Sequence, residues 1–207
     1  MTIDEIAERL AVSRTTVFYW VGDIPIERKP ATGWPHSARR KSNAAMQRKY
    51  ERLREAAYER GILEFLALER QDGFRDFVCL YIAEGYKRDR NAVAICNSDP
   101  AVMMLANMWM RTMSANRLRY SVQHHADQDL AEIRRFWGDQ LEIDPGDVRV
   151  YRKSNSGQLR NRTWRSEFGV LKIEVADTYF RAELQAWMDW LQDEWLDSIA
   201  PGRSSAW

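Results

Sequence analysis

Several side chains near the start of the chain have the chemistry needed to contact nucleic acid. Within seven residues the sequence contains one arginine, three small hydroxyl side chains and one tyrosine: Ser13, Arg14, Thr15, Thr16 and Tyr19. Arginine donates two hydrogen bonds to the edge of a guanine, and hydroxyl groups bind base edges or phosphates. If one helix exposes these side chains together, they suit the major groove of double-stranded DNA.

Two short helices within residues 2–21 must position these side chains. Apolar residues recur at helical spacing in both halves of this segment, and we expect them to form a small shared core. They are Ile6, Ala7, Leu10, Val12, Val17 and Trp20. Ser13 has the side chain of an N-cap for the second helix. Ala11 falls in the turn, where a positive φ is expected at modest strain.

Residues 2–21 resemble the helix-turn-helix of resolvase-like and many regulatory proteins. The resemblance implies a DNA-binding module at residues 1–24 whose second helix reads bases. A three-helix module needs a further helix over its core. We expect that helix to come from the segment after Pro35 or from another chain. The alternative interpretation is a helical hairpin with no role in DNA binding.

Basic residues are concentrated in two segments, although the net charge is only +1. Residues 25–71 are expected to form a linker and then a basic helix, which includes Arg39, Arg40 and Lys41. The second segment carries Arg149, Arg152, Lys153, Arg160, Arg162 and Arg165. Surfaces of this kind suit a phosphate backbone. For the first segment, the solvated face of a long helix is an equally good explanation.

The remaining pattern predicts an α+β domain over residues 72–197. Helices are expected at 74–85, 99–113, 130–141 and 178–196, with strands at 91–96, 118–124, 148–152 and 170–175. Because the order has no regular βαβ repeat, we expect an antiparallel sheet in which the last two strands form a basic hairpin. Residues 198–207 are expected to form a flexible tail.

The segment from Phe77 to Lys87, FVCLYIAEGYK, resembles the signature helix of the LAGLIDADG homing-endonuclease family. Leu80, Ala83 and Gly85 coincide with that motif, and Glu84 stands where it ends in an acid. With the N-terminal helices, the chain resembles actinobacterial and phage proteins that join a helix-turn-helix to a degenerate domain of this type. The resemblance implies a saddle-shaped sheet along DNA, in which Lys87 also contacts DNA. It further implies a homodimer through the Phe74–Gly85 helix.

Three functions remain open at this point. The first is a transcriptional regulator that binds double-stranded DNA and needs no cofactor. The second is a Mg²⁺-dependent endonuclease, in which Glu84 is the metal ligand and catalytic acid that the family resemblance implies. The family usually carries two acids, but Ile82 stands at the first of them. The third is a structural protein that uses the fold only to dimerise.

Other classes of function find little support in the sequence. No apolar run is long enough for a membrane span, and no signal peptide pattern is present, so we expect a cytoplasmic, nucleoid-associated protein of a bacterium or phage. Cys79 and Cys96 are expected to be reduced core residues. His124 and His125 are expected on opposite faces of a strand, as surface side chains and not as zinc ligands.

Overall fold

The computed structural model of the chain describes residues 2–22, 36–153 and 166–199. The chain divides into two compact units, Met1–Ala45 and Met46–Trp207. Helix α3, His36–Leu68, lies within the segment 25–71 predicted as a linker and a basic helix, and it begins in the first unit and ends in the second. Each unit is described in turn.

The first unit contains the two short helices that the sequence predicts, α1 (Ile3–Leu10) and α2 (Arg14–Val21). Thr2 and Glu5 form a capping box at the start of α1, with the Glu5 amide 3.2 Å from the Thr2 hydroxyl. Ser13 caps α2 by accepting a hydrogen bond from the Thr16 amide at 3.1 Å. Between the helices, Ala11 has the expected positive φ of 52°. The predicted cap and turn are therefore confirmed.

The small core between α1 and α2 is narrower than predicted. Ala7 and Val17 are buried, whereas Leu10 is 56% exposed and Trp20 is 60% exposed. Each helix has only eight residues and contributes one buried side chain to this core. The prediction that Leu10 and Trp20 fill this core is therefore wrong for the described residues.

The second unit is built on a four-stranded sheet. Its strands are β1 (Val93–Asn97), β2 (Arg119–His124), β3 (Val148–Arg152) and β4 (Val170–Val175), in the order β1-β4-β2-β3. The predicted strand positions are close to these bounds. Strand β4 is antiparallel to both β1 and β2, but β3 is parallel to β2. The sheet is therefore mixed, and the prediction of a purely antiparallel sheet is wrong.

The crossover between β2 and β3 explains the difference. Helix α6 (Leu130–Leu141) joins these strands, and a helical crossover returns the chain parallel to the strand that it left. Strand β4 pairs with β2 and not with β3, so β2 lies between them. The predicted hairpin of β3 with β4 is wrong for this reason.

Helices α4 (Phe74–Glu84), α5 (Pro100–Met113) and α7 (Thr178–Ile199) share one apolar core with α6 and one face of the sheet. Asp99 caps α5 as predicted, accepting from the Ala101 amide at 2.8 Å. Along β4, Leu171, Ile173 and Val175 are buried while the residues between them are half-buried. This period of two gives the sheet an inner face toward the core and an outer face opposite to it.

Helices α3 and α7 approach each other closely at Gly61. A Cβ atom on Gly61 would lie 3.0 Å from the Glu183 Cα atom and 3.1 Å from the Ala186 Cβ atom. The Trp187 indole donates to the Gly61 carbonyl oxygen at 3.1 Å. Glycine is therefore needed here for space, and the contact fixes the last part of α3 against α7.

Candidate nucleic-acid interface

Helix α2 carries four of the five predicted contact residues and exposes three of them, while the fifth, Ser13, is its exposed N-cap. Arg14, Thr15 and Tyr19 are exposed, and the Arg14 Nε atom lies 2.8 Å from the Asp4 carboxylate. The two side chains of this ion pair are 73% and 71% exposed. Surface pairs of this kind contribute at most about 1 kcal/mol. Arg14 can therefore exchange Asp4 for a phosphate or a base edge at small cost.

Ser13 and Thr16 already have structural roles in this unit. Their hydroxyl oxygens lie 2.8 Å apart, and the Ser13 oxygen also accepts from the Thr16 amide. On α3, Arg40 and Lys41 are exposed, while the side chain of Arg39 lies outside the described residues. Of the cations predicted to contact DNA, Arg14, Arg40 and Lys41 are thus the exposed ones within the described part of the first unit.

In the second unit, polar side chains cover the outer face of the sheet. Strand register aligns Cys96, Lys172, Ser121 and Arg149 in one row across all four strands. Neighbouring rows pair Arg119 with Glu174 and Gln123 with Tyr151. We call this set the outer face. It comprises Cys96, Arg119, Ser121, Gln123, Arg149, Tyr151, Lys172 and Glu174.

The charges on the outer face are only partly balanced. The Glu174 carboxylate accepts from both Arg119 and Lys172. Arg149 is exposed and makes no ion pair or hydrogen bond within the described part of the chain. It lines a groove of about 360 Å³ with Arg119 and Arg117, and Arg117 is paired with Asp147 at 2.8 Å. Arg149 is therefore the cation on this face that is ready for an external anion.

The predicted phosphate contacts do not all lie on this surface. Arg152 is separated from Arg149 by three positions, so strand alternation assigns it to the opposite side of β3. The Lys153 amide donates to the His124 carbonyl oxygen at 2.9 Å, and its side chain is exposed at the strand end. Residues Arg160, Arg162 and Arg165 lie outside the described residues. Arg149 and Arg152 therefore do not form one basic strip on β3.

Two cations of the outer face were missed from the sequence, namely Arg119 and Lys172. The available signal was the alternation of polar and apolar residues in RYSVQH and VLKIEV. Each strand viewed alone shows only isolated charges. Their combination with Arg149 depends on strand order, which joins β4 and β3 through β2.

Glu84 is exposed at the last position of α4, as predicted for an acid at the end of the signature helix. The Lys87 ammonium donates to the Gly85 carbonyl oxygen at 3.3 Å and not to Glu84. Among the described residues, no three His, Cys, Asp or Glu side chains form a group that could hold a metal ion. Glu84 alone does not make a magnesium site within one chain, because Mg²⁺ requires several oxygen ligands.

The cysteine near Glu84 is unlike the predicted core residue. Cys96 is a free, exposed thiol, and Cys79 is free and half-buried. Desolvation by surrounding atoms raises the pKa of the Cys96 thiol above its ordinary value, the Glu174 and Glu84 carboxylates raise it further, and Lys172 opposes them. The thiol therefore stays protonated at neutral pH, and it is a poor nucleophile.

The two adjacent histidines are buried and not at the surface. His124 is the last residue of β2, and its Nδ1 atom lies 2.8 Å from the His125 carbonyl oxygen. Only His124 lies on β2, because the strand ends there. Both residues are less than one tenth exposed, which removes them from the candidate interface.

Comparisons with protein-family models, with curated proteins and with solved structures each find no match to this chain. Within the described ranges, no helix combines the length and apolar character that crossing a membrane requires.

Proposed function

We propose that this protein binds double-stranded DNA in a sequence-specific manner and acts as a transcriptional regulator. The observation that carries the proposal is the exposed second helix of the first unit, with Arg14, Thr15 and Tyr19 open to solvent. An exposed helix with arginine in its first turn has the shape and donors that a major groove accepts. Thr15 supplies a hydroxyl group and Tyr19 a phenol on the same short element.

The outer face of the sheet supports the phosphate part of this proposal. Arg149 lacks an internal anion among the described residues, and Arg119 and Lys172 share the single carboxylate of Glu174. A duplex phosphate near this face would meet more positive than negative charge. Phosphate contacts of this kind supply affinity but little sequence information. We therefore assign sequence specificity to α2 and the sequence-independent part of DNA affinity to the outer face.

Selection of binding sites from a random duplex library tests the reading role of α2. We expect the intact protein to enrich one sequence and Arg14→Ala to lose preference at one base pair, at a cost of about 1–3 kcal/mol. Arg9→Ala is the control, since Arg9 lies on α1 of the same unit. An Arg14→Ala protein that selects the same site with the same stringency would contradict base reading by this helix.

A homodimer is proposed through the outward side of α4. Phe74, Phe77 and Tyr81 face the core, whereas Ala83 is exposed and Cys79 is half-buried, four residues earlier. Two small side chains one turn apart allow a second helix to approach closely. Sedimentation analysis should give a dimer for the intact chain and a monomer for Ala83→Arg, with Ala131→Arg at an exposed position of α6 as the control for the added charge. A monomeric intact protein would contradict this interface.

The second candidate function is a Mg²⁺-dependent endonuclease, and the exposed carboxylate of Glu84 at the end of α4 favours it. Further oxygen ligands would have to come from a second copy, from water and from the DNA. Incubation with the selected duplex and Mg²⁺ distinguishes this function from regulation. Cleavage that Glu84→Gln abolishes would establish the nuclease, while an intact duplex that remains bound supports the regulator.

A further inference from the structure

A buried arginine in the second unit has no carboxylate partner among the described residues. Arg181, in the first turn of α7, is only 5% exposed. One guanidinium nitrogen donates to the Gln185 side-chain oxygen at 3.1 Å, and another donates to the Lys87 carbonyl oxygen at 3.3 Å. The third, Nε, is buried and has no hydrogen-bond partner within the described part of the chain. The guanidinium carbon also lies 5.8 Å from the centre of the Tyr81 ring.

The acids closest to Arg181 along α7 are engaged elsewhere. Glu183 is paired with Arg60. Asp189 accepts from the Tyr58 hydroxyl at 3.0 Å and from the Gln185 amide at 2.7 Å. Gln185 thus links Arg181 to Asp189, but no carboxylate contacts the guanidinium directly among the described residues. A buried charge without an opposite charge is costly, so an external anion would stabilise this arrangement.

Arg181 lies at the wall of a cleft of about 440 Å³. Three further cations line it: Arg54 from α3, and Lys87 and Arg90 from the segment that follows α4. Among the described residues that line the cleft, Glu55 is the only one with a carboxylate. Four positive charges against one negative charge leave an excess that suits a doubly charged anion.

We propose that this cleft binds a small phosphate monoester. Guanidinium groups match phosphate oxygens in geometry and charge, and Arg54, Arg90 and Arg181 each bring one to the lining of the cleft. The volume falls within the usual range of small-molecule sites. The Gln185 and Tyr58 side chains border the cleft and can contact the organic part of the ester. Because Arg181 is nearly inaccessible, the ligand is a small molecule and not the backbone of a duplex.

The cleft also gives a different role to Lys87, which the sequence analysis predicts to contact DNA. Lys87 lines the cleft, and its carbonyl oxygen accepts from Arg181. A ligand bound there would tie the segment after α4 to helices α3 and α7 of the same unit. Binding to the folded state alone raises the free energy of unfolding.

Calorimetric titration of the full chain with inorganic phosphate at pH 8 tests the site, with chloride at equal ionic strength as the reference. Parallel titrations compare adenosine monophosphate with adenosine. We expect phosphate-specific binding, tighter binding of the monophosphate and none of adenosine. Arg54→Gln and Arg90→Gln should each weaken phosphate binding about tenfold. The matched controls are Arg52→Gln and Arg88→Gln, which remove exposed arginines outside the cleft lining and should change affinity less than twofold.

Arg181→Met tests the buried end of the site and should abolish the rise in melting temperature that phosphate causes. If that variant does not fold, the two surface variants still decide the question. No phosphate effect beyond that of chloride would overturn the proposal. Equal losses in the cleft and control variants would also overturn it, as would variants that weaken duplex binding while leaving phosphate binding unchanged.

Discussion

Replacing Arg149 with glutamine removes one cation from the outer face without removing an internal partner. Arg149 is exposed and makes no ion pair or hydrogen bond within the described residues, so folding should be affected little. Its neighbours in the same strand row are Ser121 and Lys172. The effect of the change should therefore appear in DNA binding and not in stability.

The magnitude follows from counterion release. Neutralising one duplex phosphate contributes about 0.9 to the slope of log affinity against log salt concentration. Loss of the Arg149 contact should lower the slope by that amount, which corresponds to an affinity loss of about fivefold at about 0.15 M salt and about 15-fold at about 0.05 M. Fluorescence anisotropy with a labelled duplex, measured over a series of salt concentrations, gives both quantities.

Arg135→Gln is the matched control for this experiment. Arg135 is exposed on α6, which packs on the inner side of the sheet, and the substitution removes the same charge. Its salt slope should equal that of the unmodified protein. If Arg149→Gln and Arg135→Gln have identical slopes, the outer face does not contact DNA and the phosphate argument is refuted.

Three further predictions follow from other contacts. Glu174→Gln releases Arg119 and Lys172 from their shared carboxylate, so anisotropy should show tighter duplex binding and a salt slope steeper by about 0.9 or more. Gly61→Ala should lower the free energy of unfolding by about 1–2 kcal/mol in denaturant titration, because crowding against α7 outweighs the better helix propensity of alanine. Burial and the hydrogen bond to a carboxylate raise the pKa of Tyr58 to about 12 from 10.0, so stability should fall between these pH values as the unfolded tyrosine ionises first.

Each of these predictions has an outcome that contradicts it. Weaker duplex binding by Glu174→Gln would mean that the carboxylate holds Arg119 and Lys172 in position for DNA and does not compete with phosphate for them. A Gly61→Ala protein as stable as the original would show that the α3–α7 contact relaxes without cost. For Tyr58, the comparison is Tyr58→Phe, and below pH 10 neither protein should show this dependence. Parallel losses of stability in both proteins from pH 10 to pH 12 would assign the effect to other groups.

Local sequence patterns were sufficient for the elements and their ends. Ser13, Ala11 and Asp99 were correctly assigned to a cap, a turn and a cap, since each assignment depends on a side chain and its immediate backbone neighbours. Strand β3 was placed correctly for the same reason, because polar and apolar residues alternate along it. Exposure of Arg14 and Glu84 also followed from position on a helix.

Only the tertiary structure decided what these elements bring together. Strand order depends on long-range pairing and on the α6 crossover, so the sequence did not indicate that β2 separates β3 from β4. The outer face, where Arg119, Lys172 and Arg149 meet, is a consequence of that order. Arg181 is similar: by sequence it is one charge on an amphipathic helix, and its burial arises from α7 packing beside α3 and the segment after α4. Helical and strand periods are properties of a few neighbouring residues, whereas a site is formed by residues that only folding makes neighbours.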